Sequence, residues 1–172
     1  MTKWILGGLL ALCLSSTAYS ASSDAMVSAL DQPRYTQHIT VEENRRQTLC
    51  LALNIYHEAR GSTRNDMVGV AWVTRNRVES RYSRGRNYCQ IIWEPGQYSW
   101  TKRSTTSLMP RESRAWQSVV RIAEQVISGE VADPTSGANT FYSSRLGAPA
   151  WTRRGTGRMT IGAHTYVRLP GR

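Results

Sequence analysis

The run CLALNIYHEARG, Cys50 to Gly61, restricts the possible folds of this chain more than any other stretch. Read at about 100° per residue, Leu49, Leu51, Ala52, Leu53, Ile55, Tyr56 and Ala59 fill an unusually broad arc of a helix spanning Glu42 to Arg60. A helix apolar over that much of its surface must be enclosed, so the other elements have to be arranged around it. Gly61 supplies its C-terminal stop. The wheel places Glu58 at the edge of the apolar arc beside Leu51, and Arg60 nearly opposite, so the two do not pair within the helix. A carboxylate in a last turn also opposes the helix dipole, which favours cations there. Capping therefore does not account for Glu58. An ion pair with an arginine from elsewhere, or chemistry, remains.

A second helix is predicted from about Asp66 to Val78, with Arg75 and Arg77 at its cationic end. A third starts near Pro110, which suits a first turn, and carries Ala115, Trp116, Val119, Val120, Ala123, Val126 and Ile127 at helical spacing until Gly129. Beyond Gly129 the chain is rich in Gly, Pro, Ser and Thr, and the closing RMTIGAHTYVRL alternates enough for short strands. The fold class is therefore α+β, predominantly helical, with one domain over residues 42–172 and short C-terminal strands. Residues 21–41 are small and polar, contain Pro33 and show no period, so they read as an N-terminal arm or linker that carries no site. Residues 1–20 read as a signal peptide: Lys3, the apolar WILGGLLALCL, then small Ala18 and Ser20 before a cut near Ser20. The apolar run is short for a retained anchor, and Leu12 is large for the residue before a lipid-bearing Cys13. The expected destination is the periplasm or the exterior, with the membrane met only during export.

Cleavage leaves Cys50 and Cys89. In an oxidising compartment such a pair reads as a disulfide, although two unlinked small core residues fit the same pattern. The chain has 22 basic and 12 acidic residues and a net charge of +10, with lysine only at Lys3 and Lys102. The arginines are spread along the sequence, which excludes a disordered basic tail and leaves either a solvated surface or an anionic partner. HExxH zinc chemistry is excluded because Gly61 stands where the second histidine would be, and three histidines (His38, His57, His164) leave little for a catalytic metal. No GxSxG elbow, phosphate-cradling glycine loop or nucleic-acid zinc motif occurs. Neither a cofactor nor a nucleic-acid partner is expected. A carboxylic acid ending an apolar helix, with Trp93, Tyr98 and Trp100 elsewhere, suits a glycan: sugar faces stack on aromatics, and an acid in an apolar setting keeps the proton that a glycosidic oxygen needs. Plain core packing explains any one of those aromatics equally well.

The segments CLALNIYHEARGS, VGVAWVTRNRV, CQIIWEPGQYSWT, DPTSGANTFY and TIGAHTYVR, in that order, resemble the cell-wall hydrolase family of the spore-cortex-lytic enzyme SleB, which also occurs in Gram-negative bacteria and phages. The similarity covers about Leu49 to Arg168. It implies a peptidoglycan glycosidase with a lysozyme- or lytic-transglycosylase-like domain, acting as a monomer on glycan strands, with Glu58 as the general acid. The family's glycan-groove element falls on Gln97, Tyr98, Ser99 and Trp100. Its later element falls on Asp133, Pro134, Thr135, Gly137 and Ala138, followed by Tyr142. Asn139, Thr140 and Phe141 stand before Tyr142 where members often carry a histidine, and Ser62 replaces a common acidic residue.

A retaining or inverting glycosidase sets a second carboxylate across the scissile bond. Asp66, Glu94 and Asp133 are candidates, and no spacing singles one out. A lytic transglycosylase manages with one carboxylate, because the substrate's own C6 hydroxyl attacks. That favours transglycosylation, with a hydrolytic muramidase or glucosaminidase, or a non-catalytic peptidoglycan binder, as the alternatives.

Overall fold

The computed structural model of the protein describes residues 13–80 and 82–171; the start of the expected leader, residues 1–12, lies outside them. In chain order they form α1 (Cys13–Leu30), α2 (Pro33–Thr36), α3 (Arg45–Ala59), α4 (Arg64–Glu79), α5 (Tyr88–Trp93), α6 (Thr105–Leu108) and α7 (Ser113–Ser128). Strands β1 (Thr140–Ser143), β2 (Thr156–Ile161) and β3 (His164–Arg168) follow. Among the described residues no helix is long and apolar enough to cross a membrane.

Helix α3 runs through the centre, buried without a break from Thr48 to Tyr56, as its broad apolar arc requires. Helices α4, α5 and α7 pack around it, with α1 closing part of the remaining side. Asn54, polar yet buried, is satisfied within the core: its Nδ2 donates to Thr74 Oγ1 at 3.2 Å and its Oδ1 accepts from Trp100 Nε1 at 3.3 Å. The expected helix over residues 42–60 begins as a 3-10 turn at Glu42–Asn44 and ends at Ala59, where Gly61 turns the chain with φ of +83°. Cys50 of α3 and Cys89 of α5 are joined by a disulfide, with Cα atoms 5.2 Å apart.

Helix α7 starts at Ser113, beyond the position predicted from Pro110. The reason lies in Tyr56, whose hydroxyl accepts from the backbone N–H groups of Arg111 (3.2 Å) and Glu112 (3.4 Å) and holds that stretch outside the helix. Trp116, Val119, Val120, Ala123 and Val126 form its buried face, and Gly129, left-handed at φ of +78°, ends it.

The N-terminal segment departs from its expected character. Residues 21–30 continue α1, and Met26, Leu30, Tyr35 and Ile39 are buried in the main core. Two pairs four residues apart bury one side of this segment, a signal too sparse among serines and alanines to show as a period. Trp116 Nε1 donates to the Tyr35 carbonyl at 2.9 Å, and Glu124 accepts from the backbone N–H groups of Thr40 and Val41. Residues 21–41 are thus packed against the domain.

The strands form an antiparallel sheet of order β1-β3-β2. Central β3 is buried from His164 to Val167, and Gly162, at φ of +57°, makes the tight turn from β2. One face of the sheet lies on α4: Ala59, Val70, Val73, Ala138 and Tyr166 form a second, smaller core there.

The disulfide closes a sequence separation of 39 residues. Replacing both cysteines with alanine should lower the unfolding free energy by about 4 kcal/mol, measured by urea titration of the oxidised protein against the double variant.

Candidate active site

Glu58 occupies the last turn of α3, half-buried where that helix meets the sheet-bearing side of the domain. Among the described residues no side chain hydrogen-bonds or ion-pairs with its carboxyl group. Burial pushes its pKa above the ordinary glutamate value, and the nearby charges of His164 and Arg77 offset part of that rise. Arg60 does not pair with it, as the helical wheel requires: the guanidinium lies over the Tyr56 ring at 4.7 Å and reaches Glu112 at 3.5 Å. His57 turns the other way. Its Nε2 lies 3.0 Å from the Leu108 carbonyl and its ring stacks on Trp100 at 4.7 Å. Burial and the charges of Arg60 and Arg103 lower its pKa, against the opposing effect of the Leu108 carbonyl.

The two groups that act on Glu58 are each fixed by partners far away in the sequence. Arg77, in the last turn of α4, is only 6% exposed. Its Nε donates to the Asn139 carbonyl at 2.7 Å, its guanidinium faces the Tyr98 ring at 5.3 Å, and its buried Nη1 has no hydrogen-bond partner. His164, at the start of β3, places Nδ1 3.0 Å from Asp66 Oδ1. A carboxylate can only accept, so Nδ1 carries a hydrogen.

Asp66 is fully buried in the first turn of α4. Thr63 caps that helix by accepting from the Asp66 N–H, which leaves the Asp66 carboxylate free to turn inward. It accepts from His164 Nδ1, from the Ser62 hydroxyl, from the Ala163 N–H at 3.0 Å and from the Tyr166 hydroxyl at 2.5 Å. Burial would raise its pKa, but these four donors outweigh burial and hold it below the ordinary aspartate value. Burial, and then the hydrogen bond to and charge of Asp66, push the Tyr166 hydroxyl far above the usual tyrosine range.

The expected groove residues are placed differently from a row of sugar platforms. Tyr98 and Trp100 are each 4% exposed and Trp93 is 5% exposed. Trp100 packs between His57 and Trp93, and Tyr98 bonds through its hydroxyl to Thr74 at 3.1 Å. Their polar handles are satisfied inside the core, so QYSW is a brace that folds onto α3 and α4 through a 3-10 turn at Ser99–Lys102. Gln97 is half-buried and Ser99 exposed beside it. Asp133 is also a brace: its carboxylate accepts from the Thr135 N–H and hydroxyl, the Gly137 N–H and Asn76 Nδ2. Thr135 is buried. Tyr142 is half-buried and pairs edge-on with Trp151 at 5.9 Å. As the strand neighbour of Phe141, whose ring meets His164 at 4.9 Å, it points to the opposite face of the sheet. Arg77 and His164 thus lie within electrostatic range of Glu58, with the Tyr98 ring facing Arg77 and the Phe141 ring against His164.

Asp66 and Asp133 have their carboxylate oxygens fully occupied, and the charged groups acting on Glu58 do not include Glu94. Neither arrangement provides a second free carboxylate facing Glu58. Among the described residues no group of three or more His, Cys, Asp or Glu side chains is assembled as for a metal ion.

A lone acid on a core helix, braced by a docked hairpin, defines a class that comparison with known proteins identifies. A profile of the cell wall hydrolase family matches residues 61–167, and the chain belongs to that family, whose substrate is peptidoglycan. The matched region begins just after Glu58 and includes Arg77 and His164. The catalytic domain of the Bacillus cereus SleB protein has a similar structure, with a TM-score of 0.54 at 24% identity, over 72% of this chain and 91% of that one. The fold is accordingly lysozyme-like. No curated protein matches the chain in sequence.

Two outcomes follow from these placements. Trp100→Ala should cost about 3–5 kcal/mol of stability by chemical unfolding, as a large core truncation does, rather than selectively weakening glycan binding. Asp66 contributes stability that is present above its unfolded pKa and is lost as pH falls through its lowered folded value. Acid unfolding followed by circular dichroism should therefore have a component below the ordinary aspartate range, and Asp66→Asn should remove it.

Proposed function

We propose that the protein is an exported lytic transglycosylase that cuts the MurNAc–GlcNAc backbone of peptidoglycan, with Glu58 as its general acid. One observation carries this reading: burial raises the pKa of Glu58, as a general acid requires, and among the described residues no second free carboxylate stands with it. Glu58 protonates the bridging oxygen. The MurNAc C6 hydroxyl then closes onto the anomeric carbon, giving a 1,6-anhydro end. Intramolecular attack has the orientation advantage that a free water lacks. The simplest acceptor for the hydroxyl proton is the carboxylate that Glu58 has become.

The leader-like N-terminus supports export to the periplasm or beyond, where the net charge left after removal of Lys3, 21 − 12 = +9, favours approach to the anionic wall. A hydrolytic muramidase on the same fold would need a base for water, and a non-catalytic binder would have no use for a half-buried acid of raised pKa at this helix end.

Purified sacculi digested with the protein should release mainly anhydro-muropeptides, identified by mass spectrometry. Glu58→Gln keeps the shape and removes the titrating proton, so activity should fall at least a hundredfold. Activity of the natural enzyme should decline as pH rises through the Glu58 pKa, which lies above that of an ordinary glutamate. Reducing ends that take up solvent oxygen would replace transglycosylation with hydrolysis, and an active Glu58→Gln enzyme would remove Glu58 from the site.

A further inference from the structure

The arginines are spread along the chain, but the acids that balance them are not. Asp133 is the last acidic residue, and six arginines follow it. Four of these, Arg145, Arg153, Arg154 and Arg158, lie on or beside the connection from β1 to β2. Both strands run antiparallel to β3, one on each side of it, so they are parallel to each other and the connection must cross a face of β3. That face is the one turned away from α4. Tyr166 points to α4, so Thr165 and Val167 point to the crossover, and both are buried beneath it. The crossing chain lies hard against the strand: a Cβ on Gly155 would be 2.3 Å from Val167 Cγ1.

The crossover is anchored from beneath and bare on top. Its 3-10 turn at Ala150–Arg154 buries Thr152, whose hydroxyl donates to the Pro149 carbonyl at 2.8 Å and accepts from Arg158 Nη2 at 3.0 Å. Trp151 meets Tyr142 edge-on, and the Ser144 N–H donates to the Ala163 carbonyl at 2.8 Å. On the outer side Arg145, Leu146, Arg153 and Arg154 are exposed, and among the described residues none of these arginines pairs with a carboxylate. Leu146, at 66% exposed, is the most exposed large apolar side chain of the described residues. A single exposed leucine is ordinary. This one belongs to an apolar run, LGAPAW, bracketed by Arg145 on one side and by Arg153 and Arg154 on the other, on a backbone tied too firmly to fold the leucine away.

We propose that the outer face of this crossover docks the protein on an anionic phospholipid surface, with Leu146 entering the headgroup layer and Arg145, Arg153 and Arg154 meeting the lipid phosphates. Charge complementarity alone would suit any polyanion, including an acidic polymer of the wall. The apolar run favours lipid. A hydrated polymer offers Leu146 nothing to enter, and a sugar face stacks on a flat ring rather than on a leucine tip. The headgroup boundary takes an apolar tip while arginine stems lie along it and keep their charges among the phosphates. Attachment then depends on apolar area and electrostatic attraction together, and it is reversible. The membrane becomes a partner of the finished protein and not only a barrier crossed in export.

The experiment is sedimentation of the exported protein with vesicles of phosphatidylglycerol and phosphatidylcholine in equal parts, and with vesicles of phosphatidylcholine alone. Binding should be confined to the anionic vesicles and weaken as salt is raised. The triple variant Arg145→Gln/Arg153→Gln/Arg154→Gln should bind about a hundredfold more weakly, at about fivefold per arginine. Arg111→Gln/Arg114→Gln/Arg121→Gln removes the same charge from exposed positions in and just before α7, and should lose less than about threefold. Leu146→Ser should lose about tenfold. All forms share one N-terminus, so the leader cannot account for a difference between them. Equal losses in the two triple variants would reduce the effect to net charge and overturn the proposal, as would unchanged binding by Leu146→Ser. A crossover triple variant that keeps the vesicles but no longer binds sacculi would give this face to a wall polymer and overturn it too. Folding is checked by circular dichroism; if the triple variant does not fold, Arg145→Gln and Arg154→Gln singly, each expected to lose about fivefold, take its place. Vesicle binding needs no turnover, so the result is independent of the role of Glu58.

Discussion

The buried carboxylate of Asp66 is the contact on which the working part of the molecule depends. It gathers donors from the turn after α3, from the β2–β3 turn and from two residues of β3. The Tyr166 hydroxyl adds a bond to the Asp66 backbone carbonyl at 2.9 Å, so the N-terminus of α4 and the central strand are drawn to one point. Two glycines make the approach possible. A Cβ on Gly69 would lie 2.8 Å from the Tyr166 hydroxyl, and one on Gly162 would lie 2.8 Å from the Asp66 Cβ. An aspartate removed from water so completely is tolerable only because its hydrogen bonds are all made, so the hairpin and the helix end are mutually obligatory.

Around that point the polar residues of α4 do most of the positioning. Thr74 holds Tyr98, Asn76 holds Asp133 and the Ala138 carbonyl, and Arg77 holds the Asn139 carbonyl. Successive side chains along one helix thus pin the aromatic brace and the aspartate-proline turn against the end of α3. Among the described residues no side chain hydrogen-bonds or ion-pairs with Glu58, which leaves its carboxyl open.

The three long helices that build the domain were readable because each carries its own apolar period, and Glu58 stood out because its position contradicts the helix dipole. The rest was hidden by local sufficiency. Asp66 reads as an ordinary first-turn acid and Arg77 as an ordinary last-turn cation, so neither prompts a search for a distant partner. His164 and Tyr166 sit within a recognisable segment, but their contact with Asp66 spans 98 and 100 residues, and no periodicity reports such a pairing. Tyr98 and Trp100 have the composition of sugar platforms, and only the partners of their polar atoms reveal them as core. Strand β1 escaped notice because four residues among Gly, Ser and Thr are too few to show alternation.

The hairpin that completes the Asp66 cluster comes from the last strand of the chain. A partly synthesised polypeptide can form α3, but it has no Tyr166 and no His164 to close the cluster around Asp66. Competence is therefore acquired in a single late step, when the C-terminal strand docks. A chain that ends before residue 164 is a helical core without a finished site, however well that core has folded.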